Sequence, residues 1–589
     1  MDYARRKPWP GIVAMLAAAV SLSAQATTPA WVARSNEHTR WLLQEQAKLS
    51  PEGAGAVGVE GFDDQITALT PDRSTRVRES LARSEKELQR RLSEEKEPLV
   101  RQDLEILLDA TRQGQKSFDL GERLLLPYFN APQAIFSGLR PLLDDQVPAD
   151  RRRAALVRLR KYVGAEAGYR PFTELALARM RERLDRKELL GPFKDQVERD
   201  LGNIPVFASG LTDLFKKFGM SEAEPLLDAL KAQFAAYERA VRAEIVPRTR
   251  TDFKLPPELY AINLTQYGVD VAPEELVMTA HRAFDEIQKE MQSIAAEIAS
   301  DQKSPDSDYR AVIRNLKKQQ LVGDAILPHY QQRLKQLEEI IRSKNLVTLP
   351  DRPARIRIAS AAESAQQPAP NMRPPRLIDN KGEQGEFILP LNIPSADPAL
   401  AQRYDDFTFE AASWTLTAHE ARPGHELQFA AMIEHGVSQA RAIYAFNSTN
   451  VEGWGLYAEY IAKPFMPRDG QLISLQHRLL RAARAFSDPE LQMGRTTPEQ
   501  VKKLLMDDVV LSDAMATQEV ERYTFRAPGQ ATSYFYGYTQ LLRLRHDVEQ
   551  AKGTGFDARQ FHDFVLAQGL LPPRLLRKAV MEDFVPAKK

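Results

Sequence analysis

The chain has 589 residues, of which 43% are hydrophobic and 27% charged, so it can bury a large core and is too apolar to be disordered. Its 80 basic residues balance 80 acidic ones, and no net field favours nucleic acid or an anionic membrane. Cysteine is absent, which excludes disulfides, thiol nucleophiles, iron–sulfur clusters and thiolate zinc sites and leaves His, Asp and Glu as metal ligands.

Residues 1–26 have the form of a signal peptide. Arg5, Arg6 and Lys7 precede an apolar run, Ile12 to Ser23, too short to span a bilayer, and Ala24-Gln25-Ala26 offers a small-residue cleavage site. The expected location is therefore periplasmic or secreted, with cleavage near Ala26 and no stable membrane insertion afterwards. Residues 27–350 are expected to form a helical scaffold half. From Pro71 to Arg250 apolar residues recur at three- and four-residue spacing between charged faces, with turns at Leu190-Gly191-Pro192 and Gly202 to Pro205. Pro273, followed by Glu274 and Glu275, opens a helix that reaches Ala299, because acids in a first turn face the positive end of the helix dipole. A second helical run covers Tyr309 to Lys344.

The pattern changes over 351–400, a strand and Pro-rich segment expected to line a cleft. Ala354 to Ile358 and Gly385 to Ile393 alternate as strands, separated by Pro368 to Pro375. Pro390 predicts that the second is an edge strand, which could hold an extended peptide by strand addition. Residues 401–589 read as a helical, metal-binding half. Asp405 and Asp406 are placed to cap the first helix, and later helices are expected over Leu472 to Phe486, Pro498 to Met506, Leu511 to Phe525, Ala531 to Glu549 and Ala558 to Gln568. The fold class is thus mainly α, with a small β-ribbon ahead of the candidate catalytic helix.

The chemistry concentrates in His419-Glu420-Ala421-Arg422-Pro423-Gly424-His425. Two imidazoles and an adjacent carboxylate are the parts of a zinc hydrolase, in which the metal acidifies a water and the glutamate takes its proton. The spacing conflicts with one straight helix: residues i and i+6 differ by roughly 120° around the axis and lie about 9 Å apart along it. Pro423 and Gly424 stand where a break can resolve the conflict. Two histidines need a third ligand, and Glu452 in Glu452-Gly453-Trp454-Gly455-Leu456-Tyr457-Ala458-Glu459 is the candidate. Glu459, seven residues on and on the same helical face, can orient a ligand histidine. His435, His477, His546 and His562 are expected not to be ligands. No nucleophile elbow, phosphate loop or dinucleotide fingerprint occurs, so serine hydrolase and nucleotide chemistry have no support.

These motifs, with Arg522-Tyr523, Pro528-Gly529-Gln530-Ala531, Ser533-Tyr534 and Gly537, resemble the bacterial domain-of-unknown-function 885 family (DUF 885), whose members include candidate zinc-dependent peptidases and lipoproteins. The resemblance extends to the Tyr260 to Glu275 block and to Phe561-His562-Asp563. It implies a large helical fold like that of metallopeptidases with a central cleft, one Zn2+ ion on His419, His425 and Glu452, and Glu420 as general base. The chain departs from the pattern twice: Glu426 stands where many members have a further histidine, and Asp488-Pro489-Glu490-Leu491-Gln492 replaces an Asp-x-Gly-x-His segment. Tyr534 or Arg522 is expected to help stabilise the oxyanion, and Arg522, Tyr523 and Tyr538 to handle substrate. The expected activity is an exported zinc metallopeptidase acting on peptides; a periplasmic peptide-binding protein with a degenerate metal site and a zinc hydrolase of other amides or esters are the alternatives.

Overall fold

The computed structural model describes residues 29–394 and 402–587, and the expected signal segment lies outside them. The chain is mainly α-helical. Among the described residues no helix is long and apolar enough to cross a membrane. One hydrophobic core, from Leu69 to Ile245, belongs to the N-terminal helices and also takes in Ala362 and Ala365. A larger one runs from Tyr260 to Phe535, and a third joins Leu427, Trp454 and Tyr534 to the C-terminal helices.

Four helices frame the candidate site. Glu410–Glu420 is buried on every side from Ala411 onward, so it carries no amphipathic stripe. It packs against Ser448–Ala462 and against Arg468–Gln492. Ser448–Ala462 starts where the Asn447 side chain accepts the Asn450 N–H at 2.8 Å, a helix cap that sets the axis on which Glu452 and Glu459 stand. It crosses Thr532–Lys552 backbone to backbone: a Cβ on Gly537 would lie 2.0 Å from the Thr449 carbonyl oxygen, and one on Gly453 would lie 2.6 Å from the Gly537 carbonyl carbon. Glycine at both positions lets the two helices touch and brings Tyr534 beside Glu452.

Three sequence expectations need correction. First, β1 (Arg355–Ile358), β2 (Asn371–Arg373) and β3 (Glu386–Leu389) form a sheet in the order β1-β3-β2, with β1 parallel and β2 antiparallel to β3. The run Gly385 to Ile393 read as one edge strand is thus divided: β3 is central and buried along its whole length, with flanking strands on both sides where a peptide would add, while Asn392–Ile393 pairs with Gln402–Arg403 in a separate two-stranded sheet. Pro390 falls just beyond β3 and removes no ladder bond, and β2 lies inside the Pro-rich stretch. Second, Asp405 and Asp406 do not cap the helix that follows. Phe409 holds that position without a side-chain bond, while both aspartates accept from Lys317 Nζ, at 2.9 and 2.7 Å. Third, the run Tyr309 to Lys344 is two helices, Tyr309–Leu316 and Ile326–Lys344, separated at the point where Lys317 turns inward to those aspartates.

Candidate metal centre

The helix carrying His419 stops at Glu420, and the next one, His425–His435, begins at His425 itself. The chain turns over Ala421 to Gly424, with a cis Arg422–Pro423 bond. The turn is too tight for a side chain at Gly424, where a Cβ would sit 1.9 Å from the His419 carbonyl oxygen. Trp454 pins it: the indole Nε1 donates to the Pro423 oxygen at 3.0 Å and to the Gly424 oxygen at 3.3 Å. Arg422 anchors its outer side through Glu426 and Glu338, each at 2.7 Å. Glu426, at one departure from the family pattern, therefore serves as the buried counter-ion of this turn.

The break brings the two imidazoles together. Their centroids lie 4.6 Å apart with planes at 79°. Glu452 Oε2 is 3.4 Å from His419 Nε2 and 3.3 Å from His425 Nε2, and one donor atom from each of the three residues lies within 4.8 Å of the others. Gly455 makes room for both rings, since a Cβ there would approach His419 Cε1 to 2.6 Å and His425 Cε1 to 2.8 Å.

The donor set fits a zinc ion. His419 Nδ1 lies 2.7 Å from Glu459 Oε1, a carboxylate oxygen that can only accept, so Nδ1 carries a proton and Nε2 is the nitrogen turned toward Glu452 Oε2. That oxygen is buried and accepts no hydrogen bond. Two imidazole nitrogens converging on one carboxylate oxygen are placed where, with both rings neutral, all three could share a cation. Ligands bound tetrahedrally at about 2.0–2.1 Å are separated by about 3.3–3.4 Å, which matches both nitrogen–oxygen distances. Two imidazoles and one carboxylate also leave a fourth position open, as at catalytic zinc sites. His425 Nδ1 has no hydrogen-bond partner.

Electrostatics separate the carboxylates. Burial opposes charge on Glu452, yet the two imidazoles hold it well below the usual range. Burial likewise opposes charge on Glu459, where Arg481 and His419 prevail and hold it at about 2. At Glu420 burial, reinforced by the neighbouring Glu452 carboxylate, outweighs His425 and Arg481 and pushes it up to about 8. A carboxyl poised near neutrality beside a ligand cluster is suited to take and return a proton.

The site lies on a cleft of about 620 Å³. One wall comes from the N-terminal half, with Tyr128 in an interhelical connection and Asp200 on a helix, and another from the segment Gln366 to Pro374; Glu420, His425, Glu452, Arg522 and Tyr534 line the side of the metal centre. Tyr523 and Tyr538 do not line this cleft. The Tyr523 hydroxyl donates to Glu519 at 2.6 Å, and Tyr538 packs edge-on against Tyr460. His477 is held neutral by burial and by Arg481, with its pKa lowered to about 3, and His562 is bonded to Tyr457 and to the Leu346 carbonyl. Asp488, in the other departing segment, accepts from Gly529 N at 2.9 Å and from the Tyr260 hydroxyl at 3.0 Å, while Gln492 bonds Leu255 N and the Tyr523 carbonyl. That segment ties together the Tyr260 and Pro528-Gly529 blocks.

Sequence reasoning passed over Arg481 and Arg484. With Arg522 they surround the Tyr534 ring, their guanidinium carbons 5.9, 4.5 and 5.7 Å from its centroid. The available signal was their i, i+3 spacing within the otherwise small and apolar Leu479 to Phe486 run.

Fold and site together define a large, mainly α protein with a candidate metal-ligand cluster on a cleft. The chain belongs to the family described as bacterial protein of unknown function (DUF885), whose model matches residues 51–580. Its fold is similar to that of a "putative lipoprotein of unknown function" from Shewanella oneidensis, with a TM-score of 0.69 at 19% identity over 93% of this chain and 99% of that one. It is also similar to a "putative lipoprotein" from Colwellia psychrerythraea, with a TM-score of 0.75 at 18% identity over 95% of this chain and 100% of that one. No curated protein matches the chain.

Proposed function

We propose that the protein is an exported zinc-dependent metallopeptidase. The observation that carries this reading is the convergence of His419 Nε2, His425 Nε2 and the unpartnered Glu452 Oε2 beside the proton-poised Glu420. When bound, zinc supplies Lewis acidity, lowering the pKa of a water and polarising a carbonyl. Glu420 accepts the proton of the attacking water on its carboxylate and returns it to the leaving nitrogen. Glu459 fixes the His419 ring and its tautomer through Nδ1. Tyr534, its hydroxyl kept protonated by burial and by the Glu452 carboxylate, is the donor for the developing oxyanion. The cleft gives an extended peptide room to enter between the helical walls. Export is supported by the signal-like N-terminus and by the lipoprotein descriptions of the two structural neighbours.

Metal content and hydrolysis of a mixed peptide library, measured for wild type, Glu420→Gln and His419→Ala, test the reading. The expected result is zinc in wild type and in Glu420→Gln, turnover in wild type alone, and loss of zinc in His419→Ala. Stoichiometric peptide binding without metal or turnover would replace it with a binding protein, and turnover of esters alone with a different hydrolase.

A further inference from the structure

A second, smaller chamber of about 60 Å³ lies behind the metal centre, lined by His419, Glu420, Arg481, Arg484, Arg522 and Tyr534 among others. Pro370, Glu420, Arg522 and Tyr534 line both it and the open cleft, so the two spaces lie on either side of the same side chains beside the metal centre. Three guanidinium groups face it, and their counter-charges are largely committed elsewhere. Glu519 holds Arg484 through two bonds, at 2.7 and 2.6 Å, and comes only within 3.7 Å of Arg522. Glu459 lies 3.7 Å from Arg481 but already bonds His419 and Thr415. Asp406 also lines the chamber and is held by Lys317 and Ser512. Arg522 and Arg481 are 9% and 6% exposed; Arg481 Nη1 donates to the His477 carbonyl at 3.2 Å, while Arg522 Nη1 and Arg481 Nε are buried without a hydrogen-bond partner among the described residues.

Buried guanidinium donors without an acceptor are costly, and the ligand that relieves the cost is an anion that only accepts hydrogen bonds. A carboxylate matches the planar fork of arginine. The chamber has room for a few water-sized groups, enough for a carboxylate with a short side chain and too little for continuing polypeptide. We propose that this chamber is a carboxylate-binding subsite, with Arg522 and Arg481 as its donors. The inference rests on the peptidase reading for its consequence: the enzyme acts on peptides presenting a carboxylate one residue beyond the scissile bond. The open cleft takes the rest of the peptide, and the closed chamber takes its end. Hydrolysis then adds one water across the last peptide bond, hydroxyl to the carbonyl carbon and proton to the nitrogen, and releases one amino acid.

The carboxylate has two sources, the chain terminus or an acidic side chain, and three peptides of one core sequence separate them: an N-blocked peptide with a free C-terminus, its C-terminal amide, and an amide whose last residue is glutamate. For wild type the free acid is expected to exceed the plain amide in kcat/KM by on the order of 100-fold or more, as for a site built to bond a group its competitor lacks. In Arg522→Gln that ratio is expected to fall to within about 5-fold. Turnover of the glutamate amide well above both the free acid and the plain amide would identify the side chain as the source, and comparable turnover of the glutamate amide and the free acid would show that the subsite takes either carboxylate. Arg522→Lys, which keeps the charge and loses the fork, and Arg481→Gln read the same ratio if Arg522→Gln does not fold.

Binding supplies a readout independent of turnover. Calorimetry on Glu420→Gln, with and without zinc, is expected to show the free acid binding more tightly than the amide or inorganic phosphate, and Arg522→Gln in that background is expected to abolish the difference. Equal binding of the free acid, the plain amide and the glutamate amide, or phosphate binding as tightly as the best of them, overturns the subsite. A free acid, a plain amide and a glutamate amide all cleaved equally well overturn it while leaving the peptidase intact. Selective binding of the free acid with no turnover of any peptide leaves the subsite standing and removes the peptidase.

Discussion

Gly455→Ala inserts a single methyl between the helix backbone and both candidate ligand rings. The added Cβ would lie 2.6 Å from His419 Cε1, 2.9 Å from His419 Nδ1 and 2.8 Å from His425 Cε1, whereas carbon contacts settle at about 3.5–4.0 Å. Relief requires each ring to retreat by roughly 1 Å. His419 cannot do so freely, because Glu459 holds its Nδ1 at 2.7 Å and Arg481 and Thr415 hold Glu459 in turn. The overlap is expected to cost about 1–3 kcal/mol of stability, as overpacking elsewhere does. Its larger effect falls on the metal, since displacing both nitrogens from their positions around Glu452 Oε2 is expected to weaken zinc by about 100-fold, the upper end for loss of supporting contacts. The assay is zinc affinity by chelator competition, with chemical denaturation of the metal-free protein run alongside. Gly121→Ala serves as control, because a Cβ there meets nothing within 4 Å. A folded Gly455→Ala protein that binds zinc with wild-type affinity would refute the geometry argued for the site.

Three further outcomes follow from the same contacts. Glu459→Gln, which keeps the shape and removes the charge facing His419 Nδ1, is expected to lower zinc affinity about 10- to 100-fold with little change in fold, read by the same competition. Trp454→Phe deletes the indole donor to the Pro423 and Gly424 carbonyls, leaving buried acceptors unpaired; a loss of about 1–3 kcal/mol is expected in urea denaturation, and an unchanged midpoint would show that the turn holds itself. Burial raises the Asp488 carboxyl to about 7 in the folded protein, above its unfolded value near 3.9, so its contribution to stability is fully present below about pH 4 and is lost as pH rises through about 7. The span is on the order of 4 kcal/mol, and Asp488→Asn is expected to flatten the stability profile between about pH 4 and 7 relative to wild type; parallel profiles would contradict the assignment.

Local chemistry made much of this protein legible in its sequence. The helical periods, Pro273 at a helix start, and the spacing conflict between His419 and His425 all depend on rules that act within a few residues, and the break at Ala421 to Gly424 lies where that conflict demanded one. Pairing was less legible. A lone proline in an alternating run reads as an edge signal, but β3 is central because two earlier segments of the chain, β1 and β2, flank it on either side, and no local rule encodes that. Asp405 and Asp406 look like helix caps until Lys317, far away in sequence, claims them.

By itself the sequence determined the mainly helical class, the absence of thiol chemistry, and the residue types able to bind a metal, because composition and periodicity are properties of the chain alone. It also carried the glycines of Glu452-Gly-Trp-Gly455, without the reason for them. Only the tertiary structure decided that Gly455 clears space for two rings, that Gly453 meets Gly537, and that Trp454 closes the His419 turn from another helix. It likewise decided that Tyr523 serves a buried glutamate while Arg481 and Arg484 gather around Tyr534. Which donors are left unpaired, and which carboxyl is poised near neutrality, depends on what packs against each group from elsewhere in the chain, and burial exists only once the helices have met.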